Sequence, residues 1–242
     1  ATSAPVMVIT SHAATLLTEG PGNRRALLDK TLFHVEPDYV EDFKKYRRAL
    51  RQRNQLIRGR SLRKIHRAWN EQLIFVGQEI DRKREDIVLR LNAELKSKAV
   101  SKFFGELYFR YMPGWDREKG YRFCLSQAWE KDEQLGYTTV GPHRADLALC
   151  DKNGPVARNL SGGQSKFLVS FVLCSLTKYI FEKTAKRTLV LVDDIAAELD
   201  DVFISSVLNM LLRQEGQVVL TSIRPMELAD FSKNADAVLQ LD

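Results

Sequence analysis

Several features that assign a chain to a common class are missing from these 242 residues. Only three cysteines occur, Cys124, Cys150 and Cys174, and none lies in a CxxC pair. We therefore expect neither a disulfide framework nor a zinc site. We do expect a reducing, cytosolic setting. The apolar runs are far shorter than a membrane span, which argues against an integral membrane protein. The opening residues show no signal peptide, and the initial Ala in place of Met leads us to expect a fragment.

A phosphate-binding loop is also missing, because no Gly in the chain is followed by Lys. What the chain does have is 44% apolar and 28% charged residues, which favours a folded core over disorder. Its net charge of +6 is uneven: residues 21–104 hold 21 Lys and Arg against 11 Asp and Glu. Such a basic segment is typical of a protein with an anionic partner such as nucleic acid, and equally of long solvated helices. Both interpretations stay open on charge alone.

The basic segment is predicted to be helical. Gly20-Pro21-Gly22 is a turn, after which we expect helices over 24–33 and 39–58, and Ser61 is a suitable N-cap for a third helix. From Leu62 to Phe104 apolar residues recur three, four or seven positions apart, which predicts one continuous helix of about ten turns. Two long charged helices joined by a short loop would form an antiparallel arm.

Beyond Pro113 the pattern changes to alternating strands and helices. Phe167–Phe181 is predicted to be an apolar helix and Val202–Arg213 a second helix. Leu189–Val192 is a short, wholly apolar strand of the kind that parallel sheets bury. This alternation indicates an α/β sheet with crossover connections. The other predicted strands are Tyr121–Leu125, Tyr137–Val140, Asp146–Cys150, Val218–Leu220 and Ala237–Leu239.

One motif directly precedes the apolar helix, Leu160-Ser161-Gly162-Gly163-Gln164. Backbone N–H groups at such a helix start can bind an anion, and the helix dipole favours negative charge there. Taken alone, the motif is better explained as a flexible turn.

A second motif consists of two consecutive carboxylates, Asp193 and Asp194, directly after the strand 189–192. Open α/β sheets bind ligands at the carboxyl ends of their strands, and carboxylate oxygens suit Mg²⁺. Glu198 and Asp200 supply further carboxylates, although Asp200 is also the expected N-cap of the next helix.

The two motifs, about thirty residues apart, resemble the signature, Walker B strand and D-loop of ABC-type ATPases. This similarity covers about residues 140–242. Further segments narrow the family: Gly141–Leu147 (GPHRADL), Gly20–Asp29, Leu32–Pro37, Arg51–Asn54 and the aspartate pair with Ala197–Asp200. These segments resemble the RecF family of bacterial recombination mediators, which commonly has Arg in place of Gly162. The implied fold is α/β, a partial ABC-type ATPase head with a long antiparallel helical arm.

The resemblance implies that ATP and Mg²⁺ are bound between two heads of an ATP-dependent homodimer. Asp193 would hold Mg²⁺ through its water shell, and Asp194, in place of the usual Glu, would orient or deprotonate the attacking water. Ser222 falls where many of these ATPases have a catalytic His, so slow hydrolysis is expected. The residues that would bind ATP across the dimer are Ser161, Gly162, Gly163, Gln164, Lys166 and Asp200.

RecF proteins carry a phosphate-binding loop near their N-terminus, so the resemblance implies a chain without that lobe. We expect such a chain to show no ATPase activity by itself. The implied regions are 1–20, the end of the first lobe; 21–113, the arm; 114–160, a small strand region with GPHRADL; and 161–242, the signature helix with Walker B and D-loop.

The same resemblance implies binding of single-stranded DNA, duplexes and their junctions, with recombination mediator partner proteins, in the SOS response and DNA repair of the bacterial cytoplasm. The basic arm would follow phosphates without reading bases. His143 and Arg144 are expected to be structural, and Trp69 to lie in the core. The candidate DNA-binding residues, chosen for charge density, are Arg24, Arg25, Lys44, Lys45, Arg47, Arg48, Arg51 and Arg53.

Two alternatives share parts of this pattern. The ATPase subunit of an ABC transporter carries the same signature and Walker B motifs, but its helical insert is short. A structural, SMC-like tether would keep the arm and have a vestigial ATPase. DNA binding and dimerisation that depend on ATP would distinguish the repair protein from both.

Overall fold

The structure, a computed structural model, describes residues 4–10, 15–59, 67–195, 199–223 and 235–239. Its strands are β1 (Val6–Ile9), β2 (Tyr108–Met112), β3 (Asp146–Asp151), β4 (Gly154–Pro155), β5 (Leu189–Val192) and β6 (Val218–Leu220). Its helices are α1 (Thr15–Thr18), α2 (Pro21–Val35), α3 (Tyr39–Arg58), α4 (Arg67–Leu95), α5 (Lys98–Phe104), α6 (Tyr121–Gln127), α7 (Trp129–Leu135), α8 (Gly162–Thr184) and α9 (Asp201–Leu211).

The chain divides into two compact units. The sheet unit comprises residues 1–19, 93–107 and 149–242, and the arm unit comprises residues 20–92 and 108–148. Within the described ranges, no helix combines the length and apolar character needed to cross a bilayer.

The sheet unit is built on three parallel strands in the order β1-β5-β6. Val192 of the central strand is in register with Ile9 on one side and with Leu220 on the other. Because all three strands run the same way, their carboxyl ends lie at one edge of the sheet. The predicted strands at 189–192 and 218–220 are confirmed, although Val219 is exposed rather than buried.

Helix α8 is the core helix of the sheet unit. It is apolar on nearly every side, and its residues from Ser165 to Thr177 are all buried, as expected of a helix without a polar face. The ring of Phe167 packs against those of Phe103 and Phe203, with centroids 5.5 and 5.0 Å away. The predicted apolar helix is therefore confirmed, and the predicted helix at 202–213 corresponds to α9.

In the arm unit, α3 and α4 pack side by side in opposite directions. Lys83 Nζ donates to Asp42 Oδ2 at 2.8 Å, near the start of α3, and Arg53 Nε donates to Asn70 Oδ1 at 2.9 Å, near its end. Gly77 of α4 allows close packing, since a Cβ there would lie 3.3 Å from a ring carbon of Tyr46 on α3 and 2.7 Å from one of Tyr121 on α6. The predicted antiparallel pair is thus present.

The prediction of one continuous helix over 62–104 is wrong. Helix α4 ends at Leu95, and α5 starts at Lys98 after Ser97, whose backbone is extended (φ −64°, ψ 151°). The apolar stripe ends at Leu95 as well, so the periodicity itself stops where the helix does. Ser61 and Leu62 lie outside the described residues, and Trp69 is half-buried.

Three of the predicted strands are also wrong. Residues 121–125 form α6, because Tyr121 and Leu125 are buried one helical turn apart while Phe123 faces solvent. Residues 137–140 form no strand, since the Thr138 and Thr139 N–H groups donate to the side chains of Asn54 and Asp132 at 2.8 Å. Residues 237–239 also form no strand, and Val238 and Leu239 are exposed. The predicted strand at 146–150 is confirmed as β3.

A buried ion pair lies in the core of the arm unit. Arg53 Nη1 donates to Asp132 Oδ2 at 2.7 Å and to Thr138 Oγ1 at 2.6 Å, and the Arg53 and Asp132 side chains are both 0% exposed. The prediction that Arg53 binds DNA is therefore wrong, because its guanidinium has no access to solvent.

Replacing Asp132 by Ala should destabilise the arm unit by about 3–5 kcal/mol, because Arg53 would stay buried without its counter-charge. Arg51→Ala, an exposed arginine two positions away on α3, is the control and should change stability by less than about 0.5 kcal/mol. Urea unfolding followed by circular dichroism measures both. Equal effects of the two substitutions would contradict a structural role for the buried pair.

Candidate functional site

Three polar residues meet at the carboxyl edge of the parallel sheet. Asp193 follows β5, and its backbone N–H donates to the carbonyl oxygen of Ile9 at the end of β1 (2.8 Å). The hydroxyl of Thr221, which follows β6, donates to Asp193 Oδ1 at 3.0 Å and accepts from the Asp194 N–H at 2.9 Å. One hydroxyl therefore positions both aspartates.

Thr221 is a site residue that sequence reasoning missed in favour of its neighbour Ser222, which is half-buried. Its role depends on the parallel register of β5 and β6, which places residue 221 beside residues 193 and 194. The available signal was a polar side chain at the carboxyl end of a second apolar strand.

Asp194 has an unusual backbone conformation and an unpaired carboxylate oxygen. Its φ is +43°, in the left-handed region that residues other than Gly rarely adopt. Its carbonyl oxygen accepts a hydrogen bond from Nζ of the fully buried Lys166 at 2.8 Å. Among the described residues, its Oδ1 is buried and has no hydrogen-bond partner. Such strain and such an unpaired atom are typical of functional sites.

The two aspartates fit the Mg²⁺ that the resemblance implies. Asp193 is exposed, and the buried Oδ1 of Asp194 lacks a partner within the described part of the chain. Mg²⁺ prefers oxygen ligands and is commonly held by one or two carboxylates together with phosphates and waters. These side chains supply donors of that type and number.

The signature motif forms the capped start of α8. Ser161 Oγ accepts from the Gln164 N–H at 3.2 Å, and Gln164 Oε1 accepts from the Ser161 N–H at 3.0 Å. This reciprocal capping box fixes the first turn. The N–H groups of Gly162 and Gly163 lie in that turn, where the helix itself offers them no acceptor. Ser161 and Gly162 are exposed, so an anion can reach this helix end.

No protein-family model matches the chain, but curated relatives do. A DNA replication and repair protein RecF of Vibrio vulnificus is 30% identical over 243 residues, covering 98% of this chain and 67% of the relative. The RecF of Escherichia coli O1:K1 is 33% identical over 230 residues, covering 94% and 64%. The chain belongs to the RecF family. It spans about two thirds of the length of the relatives that it matches.

Solved structures agree with this RecF assignment at the level of fold. The recombination mediator protein RecF with ATP in the RecFOR pathway has a TM-score of 0.76 at 21% identity, covering 90% of this chain and 62% of that one. The corresponding structure with ATPrS has a TM-score of 0.76 at 19% identity. The predicted α/β fold of a RecF-type ATPase head is therefore confirmed.

Two of the predicted nucleotide contacts in this RecF-family chain have other partners. Lys166 is fully buried against the carbonyl oxygen of Asp194, so it cannot reach a nucleotide on a second subunit, contrary to the prediction. Asp200 Oδ1 accepts from the Phe203 N–H at 2.9 Å, which confirms its expected role as N-cap of α9. The ATP contacts of Ser161 and the residues that follow it stay predictions.

The candidate DNA-binding residues fall into two groups. Arg24 and Arg25 are bonded to Asp146 and to the carbonyl oxygen of Ala145, and Arg53 is buried. The others share one exposed side of α3, opposite its buried residues. We name this side the basic face, and it consists of Lys44, Lys45, Arg47, Arg48 and Arg51.

The GPHRADL segment is held within the arm unit by arginines of α2 and α4. The bonds join Arg24 Nε to Asp146 Oδ1 (2.8 Å), Arg25 Nη1 to the Ala145 carbonyl (2.6 Å) and Arg84 Nη1 to the Pro142 carbonyl (2.7 Å). The guanidinium carbon of Arg144 lies 5.1 Å from the ring centroid of Tyr137. These contacts support the structural role predicted for this motif.

His143 is a half-buried, neutral imidazole in the same segment. Its Nε2 donates to the Thr138 carbonyl oxygen at 2.9 Å, so its Nδ1 accepts the hydroxyl proton of Tyr46 at 2.7 Å. Burial is the main cause that lowers the pKa of His143 from 6.5 to about 4; the hydrogen bond to Thr138 opposes this shift, and the nearby Arg144 contributes to it.

Stability of the arm unit should consequently fall in mild acid. The pKa of His143 is lower in the folded chain than in the unfolded one, so protonation favours unfolding as pH falls from about 6.5 towards 4. Unfolding titrations at a series of pH values should show the stability advantage of the wild type over His143→Gln shrinking by about 3 kcal/mol across this window. Parallel pH profiles of the two proteins would contradict the neutral state of His143.

Proposed function

We propose that this chain supplies the signature and Walker B elements of an ATP-dependent DNA-binding protein in recombinational repair and replication. The observation that carries the proposal is the sheet edge where Thr221 positions Asp193 and Asp194. The capped, exposed start of α8 supports it, because that helix end offers N–H groups to an anion. The RecF relatives are named for DNA replication and repair.

The residues of this chain would have different roles in the binding and hydrolysis of ATP. Asp193 would hold Mg²⁺, which neutralises phosphate charge when bound. Asp194 would orient the attacking water, and its short side chain favours slow hydrolysis. Ser161, Gly162 and Gly163 would donate to the γ-phosphate of nucleotide held by a second copy. ATP would thereby join two heads, and hydrolysis would release them.

The substitution Ser161→Arg tests this shared site. The assay uses a protein in which a phosphate-binding loop precedes the present sequence. The substitution places a bulky side chain at the exposed helix start, so ATP-driven dimerisation should be lost while the monomer still binds ATP. Light scattering coupled to size exclusion measures the dimer, and fluorescent-nucleotide titration measures ATP binding.

Ser205→Arg is the matched control, since Ser205 is an exposed serine on α9 of the same sheet unit. It should dimerise with ATP like the wild type. Loss of both dimerisation and ATP binding in Ser161→Arg, with Ser205→Arg unaffected, would contradict a signature that acts across the dimer.

For DNA, we propose that the basic face of α3 contacts the phosphates of single strands and junctions. Five exposed cations lie on one side of the helix and give it an excess of positive charge. Of these, Lys44 pairs with Glu41 at 2.9 Å, and that pair is exposed and weak. Binding of this kind depends steeply on salt and little on base sequence. Recombination mediator partners and a cytoplasmic location belong to the same proposal.

The prediction for this surface concerns a triple substitution by Ala of Lys45, Arg47 and Arg48. DNA binding should weaken, and the slope of log affinity against log salt concentration should become shallower by about one for each phosphate that is no longer neutralised. Fluorescence anisotropy with labelled single-stranded DNA measures the slope. A triple variant at Lys131, Lys152 and Arg187, which are exposed elsewhere, removes the same charge and should keep most of the slope. Equal losses in the two triple variants would exclude the basic face.

The two alternative functions make different predictions. Family membership favours a repair protein over a transporter subunit. A structural tether would bind DNA through the arm with the same affinity with and without ATP. A DNA titration in both nucleotide states therefore separates the tether from the ATP-dependent protein.

A further inference from the structure

A shallow groove on the arm unit carries an excess of positive charge. Three guanidinium groups, those of Arg25, Arg47 and Arg84, line it, and Asp29 is the only carboxylate among its described lining residues. Arg84 is already neutralised, since it donates to both Asp29 oxygens at 2.8 and 3.0 Å. The positive charges of Arg25 and Arg47 are not neutralised by Asp29 in this way.

Neither remaining arginine has a carboxylate partner within the described residues. Arg25 donates through Nη1 to the neutral carbonyl oxygen of Ala145 at 2.6 Å. Arg47 is exposed, and its guanidinium carbon lies 5.9 Å from the ring centroid of Phe43, another residue of the groove. Both planar groups therefore keep N–H donors for a ligand, and such forks match phosphate oxygens.

Burial and neighbouring cations also affect the ionisation of Arg25. Partial burial and the neighbouring Arg84 and Arg144 lower its pKa, against the opposing effects of Asp146 and Asp29. An anion bound beside Arg25 would relieve this repulsion.

The first turn of α2 forms one wall of the groove through Gly22. This 15-residue helix begins after Gly20 with Pro21 at its first position, and it has neither a side-chain cap nor an acidic residue in its first turn. A Cβ at Gly22 would lie 3.9 Å from Arg25 Nη2, so that guanidinium lies next to the turn. The positive end of the helix dipole thus adds to the charge of the arginines.

We propose that this groove binds a phosphate group of the DNA backbone, held by Arg25, Arg47 and the first turn of α2. Arg47 belongs to both the groove and the basic face of α3, so a strand that follows the basic face passes the groove. This continuity favours a DNA phosphodiester over a free phosphate compound. The inference rests on the DNA binding proposed above and adds a defined phosphate site to it.

The substitution Gly22→Asp tests the site without removing any structural contact. The new carboxylate would face Arg25 and the helix end, where a negative charge stabilises the helix. The unfolding midpoint should therefore stay the same or rise, while the affinity for labelled oligothymidylate falls by about tenfold or more, as expected when charge-assisted hydrogen bonds are removed. Gly22→Asn has nearly the same shape without the charge and should bind like the wild type.

A second arm uses inorganic phosphate as the probe. Raising phosphate in place of chloride at constant ionic strength should raise the unfolding midpoint of the wild type and of Gly22→Asn by more than that of Gly22→Asp, since the general stabilising effect of phosphate acts on all three proteins. One outcome separates the site from the proposed function: phosphate has this effect, but the wild type binds no DNA with or without ATP. In that case the groove still binds phosphate, its ligand is a free phosphate compound, and the proposed DNA function is wrong. Equal oligothymidylate affinity of the Asp and Asn variants would overturn the inference.

Discussion

The parallel pairing of β5 between β1 and β6 is the constraint on which the candidate site depends. Parallel strands end at one edge, so the residues after Val192 and Leu220 must lie side by side. Thr221 can then bond both aspartates, and the Asp194 carbonyl can receive the ammonium of Lys166. A change in strand register would separate all of these groups at once.

Lys166 also relates the two motifs of the site to each other. It lies in the second turn of α8, four residues after the exposed Gly162, and its buried ammonium bonds the residue that ends the Walker B segment. A buried lysine needs its donors satisfied, so the helix start and the strand end are held in a fixed relation. This explains how a residue within the signature helix contributes to the site without contacting nucleotide.

In the arm unit, burial separates structural arginines from those available to a ligand. Arg53 and Arg84 are enclosed with Asp132 and Asp29, because a guanidinium removed from water requires a counter-charge. Arg47 and Arg48 on the same helix as Arg53 remain exposed. Charge density alone could not distinguish these residues, since it does not report which side of α3 faces the core.

Sequence reasoning succeeded where a local pattern had one physical solution. The bounds of α3 were predicted at both ends, with Pro37 before it and Gly59 after it. The apolar run of β5 could only be buried. Sequence reasoning failed at residues 121–125. Apolar side chains at 121, 123 and 125 fit a strand, whereas those at 121 and 125 alone fit a helix. Only the packing of Tyr121 and Leu125 decided between them.

The sequence by itself determined the class of the protein, because the signature motif and the paired aspartates, about thirty residues apart, together with the GPHRADL segment resemble the RecF family. It also determined that the positive charge lies on the helical segment. Tertiary structure alone decided that Thr221 positions the aspartates, that Lys166 and Arg53 are buried, and that Arg25 and Arg47 share a groove. Those outcomes depend on strand register and helix facing, which bring together residues far apart in the chain.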